Sequence, residues 1–239
     1  MRRFPEIDVL RTTAILGMVI YHTAYDLAEF YGWNFDPLHG GWWLLARSTA
    51  VLFLLVSGAS NTIANARARN TGAMWRRAIV RSLQIAVAAL LLTVVTYFFN
   101  ANTYIRFGIL HCIALSVLLL PLFQNFRQWN LLLGIGIIVL GNAMMGTTTG
   151  TSLLLPFGIM PFDFISLDYF PLLPWFGVVL MGSAVADYVY RRKEFRGIHL
   201  PSALTSEFSV VSRWSLVIYL AHQPVILLIL ILLFGRPTP

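Results

Sequence analysis

An ionisable side chain inside a hydrocarbon layer is expensive, so each one found there is a candidate for function. The first apolar run of this chain carries several. Asp8, Arg11, Met18, His22 and Asp26 fall on one helical face, because eleven residues at 100° return His22 to within about 20° of Arg11. Asp26, one turn beyond His22, is placed to orient its ring and raise its basicity. A second stripe, Ser212, Ser215, Tyr219 and His222, has the 3-4-3 spacing of one face, with Gln223 adjacent. His111, Arg47, Arg106 and Asp168 lie in or beside other apolar runs, and His39 stands ahead of the second.

A histidine beside a carboxylate in a water-accessible bundle suits three tasks. It can act as a general base near neutral pH, as a proton relay in a transporter, or as a haem or metal ligand. The last is weakest, since His22 and His111 form the one suitable pair and no carboxylate-rich metal set is present. No metal or haem is expected. The single cysteine, Cys112, excludes an intramolecular disulfide and any multi-cysteine metal site.

Those residues need elements to hold them, and composition says which. Hydrophobic residues make up 58% of the chain and charged residues 11%, against about 25% charged in soluble domains. The apolar runs are long and continuous, which favours helices over a barrel. The expected fold is therefore all-α, a polytopic membrane helix bundle with the lipid bilayer as its first partner. Seven stretches reach the length of a crossing of about 20 residues: roughly 8–31, 42–64, 78–99, 104–123, 129–146, 169–190 and 210–234. Residues 147–168, broken by Gly, Pro and Thr, read as an outer loop. The N-terminus reads as a retained first helix, because Glu6 and Asp8 spoil the basic region of a cleavable signal.

Charge placement orients these crossings. Of the 17 cations, 14 lie at the N-terminus or in alternate loops, and Arg47, Arg106 and Arg236 are the remainder. That alternation is the positive-inside pattern, so the N-terminus is expected inside and the C-terminus outside. It also explains the net charge of +7 without a nucleic-acid partner. Trp42, Trp43 and Trp129 read as interfacial anchors. At about 1.5 Å per residue, His22 is about 21 Å above the inner end of its helix and His111 about 10 Å below the outer end of its own. In a core about 30 Å thick these levels nearly coincide. Arg11, Arg47, Arg106, Asp168, Tyr219, His222 and Gln223 then become candidates for holding a substrate, with the buried charges expected to pair.

Five segments together resemble a known family. They are EIDVLRTTAILGMVIYHTAYDL (6–27), LFLLVSGAS (52–60), FGILHCIALS (107–116), DYFPLLPWFGVVLMG (168–182) and SRWSLVIYLAHQPV (212–225). In this order they resemble the bacterial relatives of the heparan-alpha-glucosaminide N-acetyltransferase catalytic domain. The likeness covers nearly the whole chain, so residues 1–239 read as one domain. It implies an acetyl or other acyl group taken from cytoplasmic acetyl-CoA, a co-substrate, and passed to a glycan amine, a hydroxyl or another small acceptor at the outer face. Arg76, Arg77, Arg81, Arg191 and Arg192 would bind the CoA phosphates. Trp175 joins the acceptor-binding set, and Arg106 or Gln223 would stabilise an oxyanion. The resemblance leaves two bases open: His22 by the bacterial pattern, with Asp26 orienting it, and His39 by analogy with the lysosomal member. His111 completes the catalytic candidates. The implied location is the bacterial inner membrane. A homo-oligomer is compatible with the sequence. The alternative function is a proton-coupled small-molecule transporter using a His/Asp relay.

Overall fold

The computed structural model describes residues 4–190 and 202–236. Its elements are α1 (Pro5–Tyr31), α2 (Gly40–Asn65), α3 (Thr71–Phe99), α4 (Ile109–Phe123), α5 (Asn130–Ala143), β1 (Thr148–Thr149), β2 (Met160–Pro161), α6 (Leu172–Tyr190), α7 (Ser202–Arg213) and α8 (Ser215–Phe234). Short 3-10 turns occupy Gln124–Trp129 and Ser152–Phe157. The chain packs as two compact units, residues 1–53 with 197–239 and residues 54–196, and the boundary falls inside α2.

In the first unit, α1 starts where the sequence provides for it. Pro5 sits at the first helical position and Glu6 and Asp8 lie in the first turn. A proline there gives up only an N–H that lacks an intrahelical partner, and carboxylates favour the positive end of the helix dipole. Gly32, at φ 66°, closes the other end, a left-handed position that glycine adopts without a Cβ penalty. Three hydrogen bonds then tie α1 to the C-terminal helices in ascending order along both: Arg11 to Ser212, Gln223 to Asp26, and Tyr31 to the Gly235 carbonyl. So α1 and α8 run parallel. The last expected crossing is split, because the chain breaks around Trp214 into α7 and α8.

In the second unit, the burial pattern is the reverse of a water-soluble helix. On α3 the buried stripe is Ala78, Ser82, Ile85 and Ala89, while Leu83, Val87, Leu90 and Val94 are exposed. Small residues let backbones approach, and large apolar ones face lipid. Ser82 donates to the Ala114 carbonyl of α4 at 2.8 Å. Glycines set the closest crossings. A Cβ on Gly58 would strike the Val179 carbonyl, and one on Gly182 the Leu55 carbonyl. Along α5 and α6, Gly134 meets Gly177 and Gly141 meets Pro174, so those helices run antiparallel. Buried polar groups bridge the same region: Thr62 donates to Ser183 at 2.8 Å, and Asn130 to the Phe123 carbonyl at 3.0 Å. The Leu173–Pro174 peptide is cis.

Among the described residues, five helical stretches are long and apolar enough to cross a membrane: Gly40–Asn65, Thr71–Phe99, Ile109–Ala143, Leu172–Tyr190 and Ser215–Phe234. The third holds two helices, α4 and α5, separated by the 3-10 turn in which Arg127 takes φ 51°. At 15 and 14 residues they are about 22 and 21 Å long, each short of a core about 30 Å thick. The fourth crossing was expected from residue 104, but α4 begins only at Ile109 and leaves Arg106 in the preceding loop. Conversely α3 begins at Thr71, where Asn70 accepts the Ala73 N–H. The expected loop at 147–168 contains a two-residue parallel pairing, Thr148 with Met160 and Thr149 with Pro161.

Candidate functional site

The structure gathers one polar cluster inside the first unit and another inside the second. In the first, α1 and α8 bring His22, Asp26, His222 and Gln223 together. Asp26 is fully buried, and both of its oxygens accept from Gln223 Nε2, at 2.8 and 2.9 Å. The spacing expectation that Asp26 would orient His22 therefore needs correcting for the hydrogen bonds observed. A fully buried carboxylate is stabilised by whichever donor reaches it, and an amide N–H from the neighbouring helix does so here. The His22 ring instead lies against Tyr21, at 5.5 Å between centroids, and against His222, at 4.8 Å.

His222 is held firmly. Its Nδ1 is 2.5 Å from the Tyr219 carbonyl oxygen, and its ring is 5.5 Å from that of Tyr219. Its Nε2 and the neighbouring Gln223 Oε1 are buried without a hydrogen-bond partner. Arg11 Nη1 donates to Ser212 Oγ at 2.8 Å, so the N-terminal ends of the two expected stripes also meet. Sequence reasoning missed the Asp26–Gln223 clasp, although both are polar residues on otherwise apolar helices, which was the available signal.

At the N-terminal end of α2, His39 and Arg47 are exposed. His39 Nδ1 donates to Asp36 Oδ2 at 2.6 Å with the imidazole 82% exposed, which places this pair at the surface. The Leu38 N–H and the His39 ring, both bonded to Asp36, hold its carboxyl below the usual range. The Arg47 guanidinium lies 5.8 Å from the centre of the Trp43 ring.

The second unit's cluster has a different character. His111 stands at the third position of α4, with Nδ1 accepting the Gly108 N–H at 3.2 Å and Nε2 3.3 Å from Thr93 Oγ1. Both ring nitrogens are thus engaged. Asp168 accepts the Ile109 N–H at 2.8 Å and so satisfies one of the free donors at the start of α4. The expected pairing of buried charges does not occur between Arg106 and Asp168: no ion pair joins them within 4.0 Å. Arg106 instead lies over the rings of Tyr104, at 4.9 Å, and Phe164, at 5.3 Å. A guanidinium is weakly hydrated and stacks well on aromatic faces. Trp175 packs on Phe170 at 4.7 Å.

Of the residues assigned to CoA phosphates, Arg76, Arg77 and Arg81 lie in the first three turns of α3 and are exposed. Arg77 also donates to the Ala64 carbonyl. Arg191 and Arg192 lie outside the described residues. No group of three or more His, Cys, Asp or Glu close enough to hold a metal occurs among the described residues.

Comparison with curated proteins finds no match, and neither does comparison with solved structures. The family described as "Heparan-alpha-glucosaminide N-acetyltransferase, catalytic" does match, over residues 3–224. That span includes both polar clusters and every helix up to the middle of α8. The chain belongs to the heparan-alpha-glucosaminide N-acetyltransferase catalytic-domain family.

Proposed function

We propose that this protein is a membrane acyltransferase that takes an acetyl group from cytoplasmic acetyl-CoA and transfers it to an amine or hydroxyl of a glycan or other small acceptor at the outer face. The observation that carries the reading is the family match across residues 3–224, in a chain with several helices apolar enough to span a bilayer. In this reading α1 to α6 and α8 make the seven crossings, with the N-terminus inside and the C-terminus outside, in the bacterial inner membrane. The parallel course of α1 and α8 supports a first and last crossing in the same direction.

His22 is the base in this scheme, with His39 as the second choice. The proton-accepting face is the α1–α8 cluster, where polar groups are held inside otherwise apolar helices. His22 takes the acceptor's proton as the nucleophile attacks the thioester carbonyl, while the Gln223 amide stays on Asp26. Arg76, Arg77 and Arg81, with Arg191 and Arg192, supply cations for the CoA phosphates. CoA leaves as the thiol.

Purified protein with labelled acetyl-CoA and a panel of amino-sugar and hydroxyl acceptors tests the reading. Transfer of label by the wild type, lost in His22→Ala with folding retained, is the expected result. Absence of acetyl-CoA binding at millimolar concentration would sink it. Uptake of a solute that collapses with the proton gradient, without acetyl transfer, would replace it by the transporter reading, for which the buried Asp26 beside two histidines is the motivating feature.

A further inference from the structure

The position of the His222 ring fixes where its proton is. Its Nδ1 lies 2.5 Å from a backbone carbonyl, that of Tyr219. A carbonyl can only accept, so Nδ1 carries the hydrogen and the lone pair of the neutral ring is on Nε2. That Nε2 is buried and has no partner. The ring beside it is that of His22, 4.8 Å away between centroids and tilted by 60°. Two imidazoles joined by an N–H···N bond have centroids about 5 Å apart, from a bond of about 2.9 Å and the two ring radii. The two centroids lie close to that spacing, and no hydrogen bond joins the rings. Catalytic hydrogen bonds commonly tighten only when substrate binds. Asp26 is committed to Gln223 through both oxygens, and Tyr21 and Tyr219 meet the two histidines through their rings.

We propose that His222 is the positioning residue of His22, a neutral acceptor that fixes its tautomer and receives its N–H during transfer. This rests on the acyltransferase reading of the same site. In the step, the acceptor's O–H or N–H bond breaks and its proton goes to one nitrogen of His22. The freed electron pair forms the bond to the thioester carbonyl carbon. The other nitrogen of His22, now part of an imidazolium, donates its hydrogen bond to His222 Nε2. The carbon–sulfur bond then breaks, and the departing thiolate takes the proton from His22, which returns to neutral. His222 keeps its Nδ1–H on the Tyr219 carbonyl throughout. A carboxylate in this place would add a second buried charge needing compensation, whereas a neutral imidazole supplies the acceptor without one.

Two substitutions separate this role from a structural one. His222→Asn keeps a donor for the Tyr219 carbonyl and removes the atom at Nε2. His222→Gln places an amide, with its acceptor oxygen, at the Nε2 position. The expected result is that His222→Asn lowers kcat by about 100-fold, as loss of an orienting partner does, with KM for acetyl-CoA within about twofold. His222→Gln should recover turnover to within about tenfold of wild type. A purely structural role predicts the opposite order, and that order would overturn the proposal. Equal loss in both folded variants, or no loss in either, would overturn it too. Nitrogen NMR of the histidine-labelled wild type, which needs no variant, should show His222 protonated at Nδ1; a proton on Nε2 is equally fatal. Wild-type protein that transfers no acetyl group overturns the acyltransferase reading, and this proposal with it, and is read before any variant is made.

Discussion

His22 and His111 look alike in the sequence, each an isolated histidine on an apolar run, yet the structure gives them opposite surroundings. His111 has a ligand on each nitrogen, the Gly108 N–H and the Thr93 hydroxyl, at the point where α4 begins. Asp168 completes that helix start through the Ile109 N–H. On the α1–α8 face, by contrast, His22 lies beside a histidine whose Nε2 is unpartnered, next to a glutamine whose Oε1 is unpartnered. One cluster closes a helix terminus, though Arg106 Nε beside it is buried without a partner. The other leaves two such atoms side by side, His222 Nε2 and Gln223 Oε1, and the proposed function rests its chemistry there.

The largest effect that can break this contrast is on turnover. His22→Ala should reduce acetyl transfer by about 10²–10⁴-fold, the usual worth of a general base, with thermal unfolding in detergent nearly unchanged. Next comes the clasp. Gln223→Leu leaves the fully buried Asp26 without its donor and should destabilise the protein by about 1–3 kcal/mol, measured by thermal or denaturant unfolding. Combining it with Asp26→Leu should return part of that loss, since an unmade buried bond costs more than two apolar replacements; an additive double mutant would mean the two residues are not coupled.

For the other cluster the order is reversed. Asp168→Ala removes a cap-like acceptor and should cost about 1 kcal/mol of stability, with a smaller change in kcat than any seen at His22. His111→Phe is expected to act likewise, through lost hydrogen bonds of about 0.5–1.5 kcal/mol. If His111→Phe instead abolished transfer in a folded protein, the distinction drawn between the two histidines would be wrong. The smallest expected effect is at the surface pair: His39→Ala should change transfer by less than about threefold, since exposed ion pairs contribute little. A collapse there would move the base from His22 to His39.

Much of the helical layout was legible from the chain, because continuous apolar length is a direct consequence of backbone satisfaction in lipid. The caps carried signals that hydropathy spans do not use: Pro5 and Asn70 start their helices ahead of the expected residues 8 and 78, and Gly32 closes α1. Misplaced boundaries occurred where local chemistry overrode hydropathy. Arg106 reads as the start of an apolar run, but Gly108, with Asp168 bonded to the next N–H, sets the true start of α4 at Ile109. Trp214 interrupts what reads as one helix from 210 to 234.

What the sequence alone determined was which residues are costly in a membrane and which faces they share, since periodicity and transfer energy act within a single helix. It also held the family likeness that the match over residues 3–224 establishes. Which costly groups are satisfied was decided only by tertiary structure, because a hydrogen bond between helices depends on packing that no spacing encodes. Asp26 went to Gln223, 197 residues away, rather than to the histidine one turn before it. Asp168 went to a helix terminus 59 residues away, and Arg106 to two aromatic rings. Helix crossings at Gly58, Gly134, Gly177 and Gly182, where a Cβ would meet the facing backbone, are likewise settled by packing, and the parallel run of α1 and α8 fixed the partners of Asp26 and Arg11.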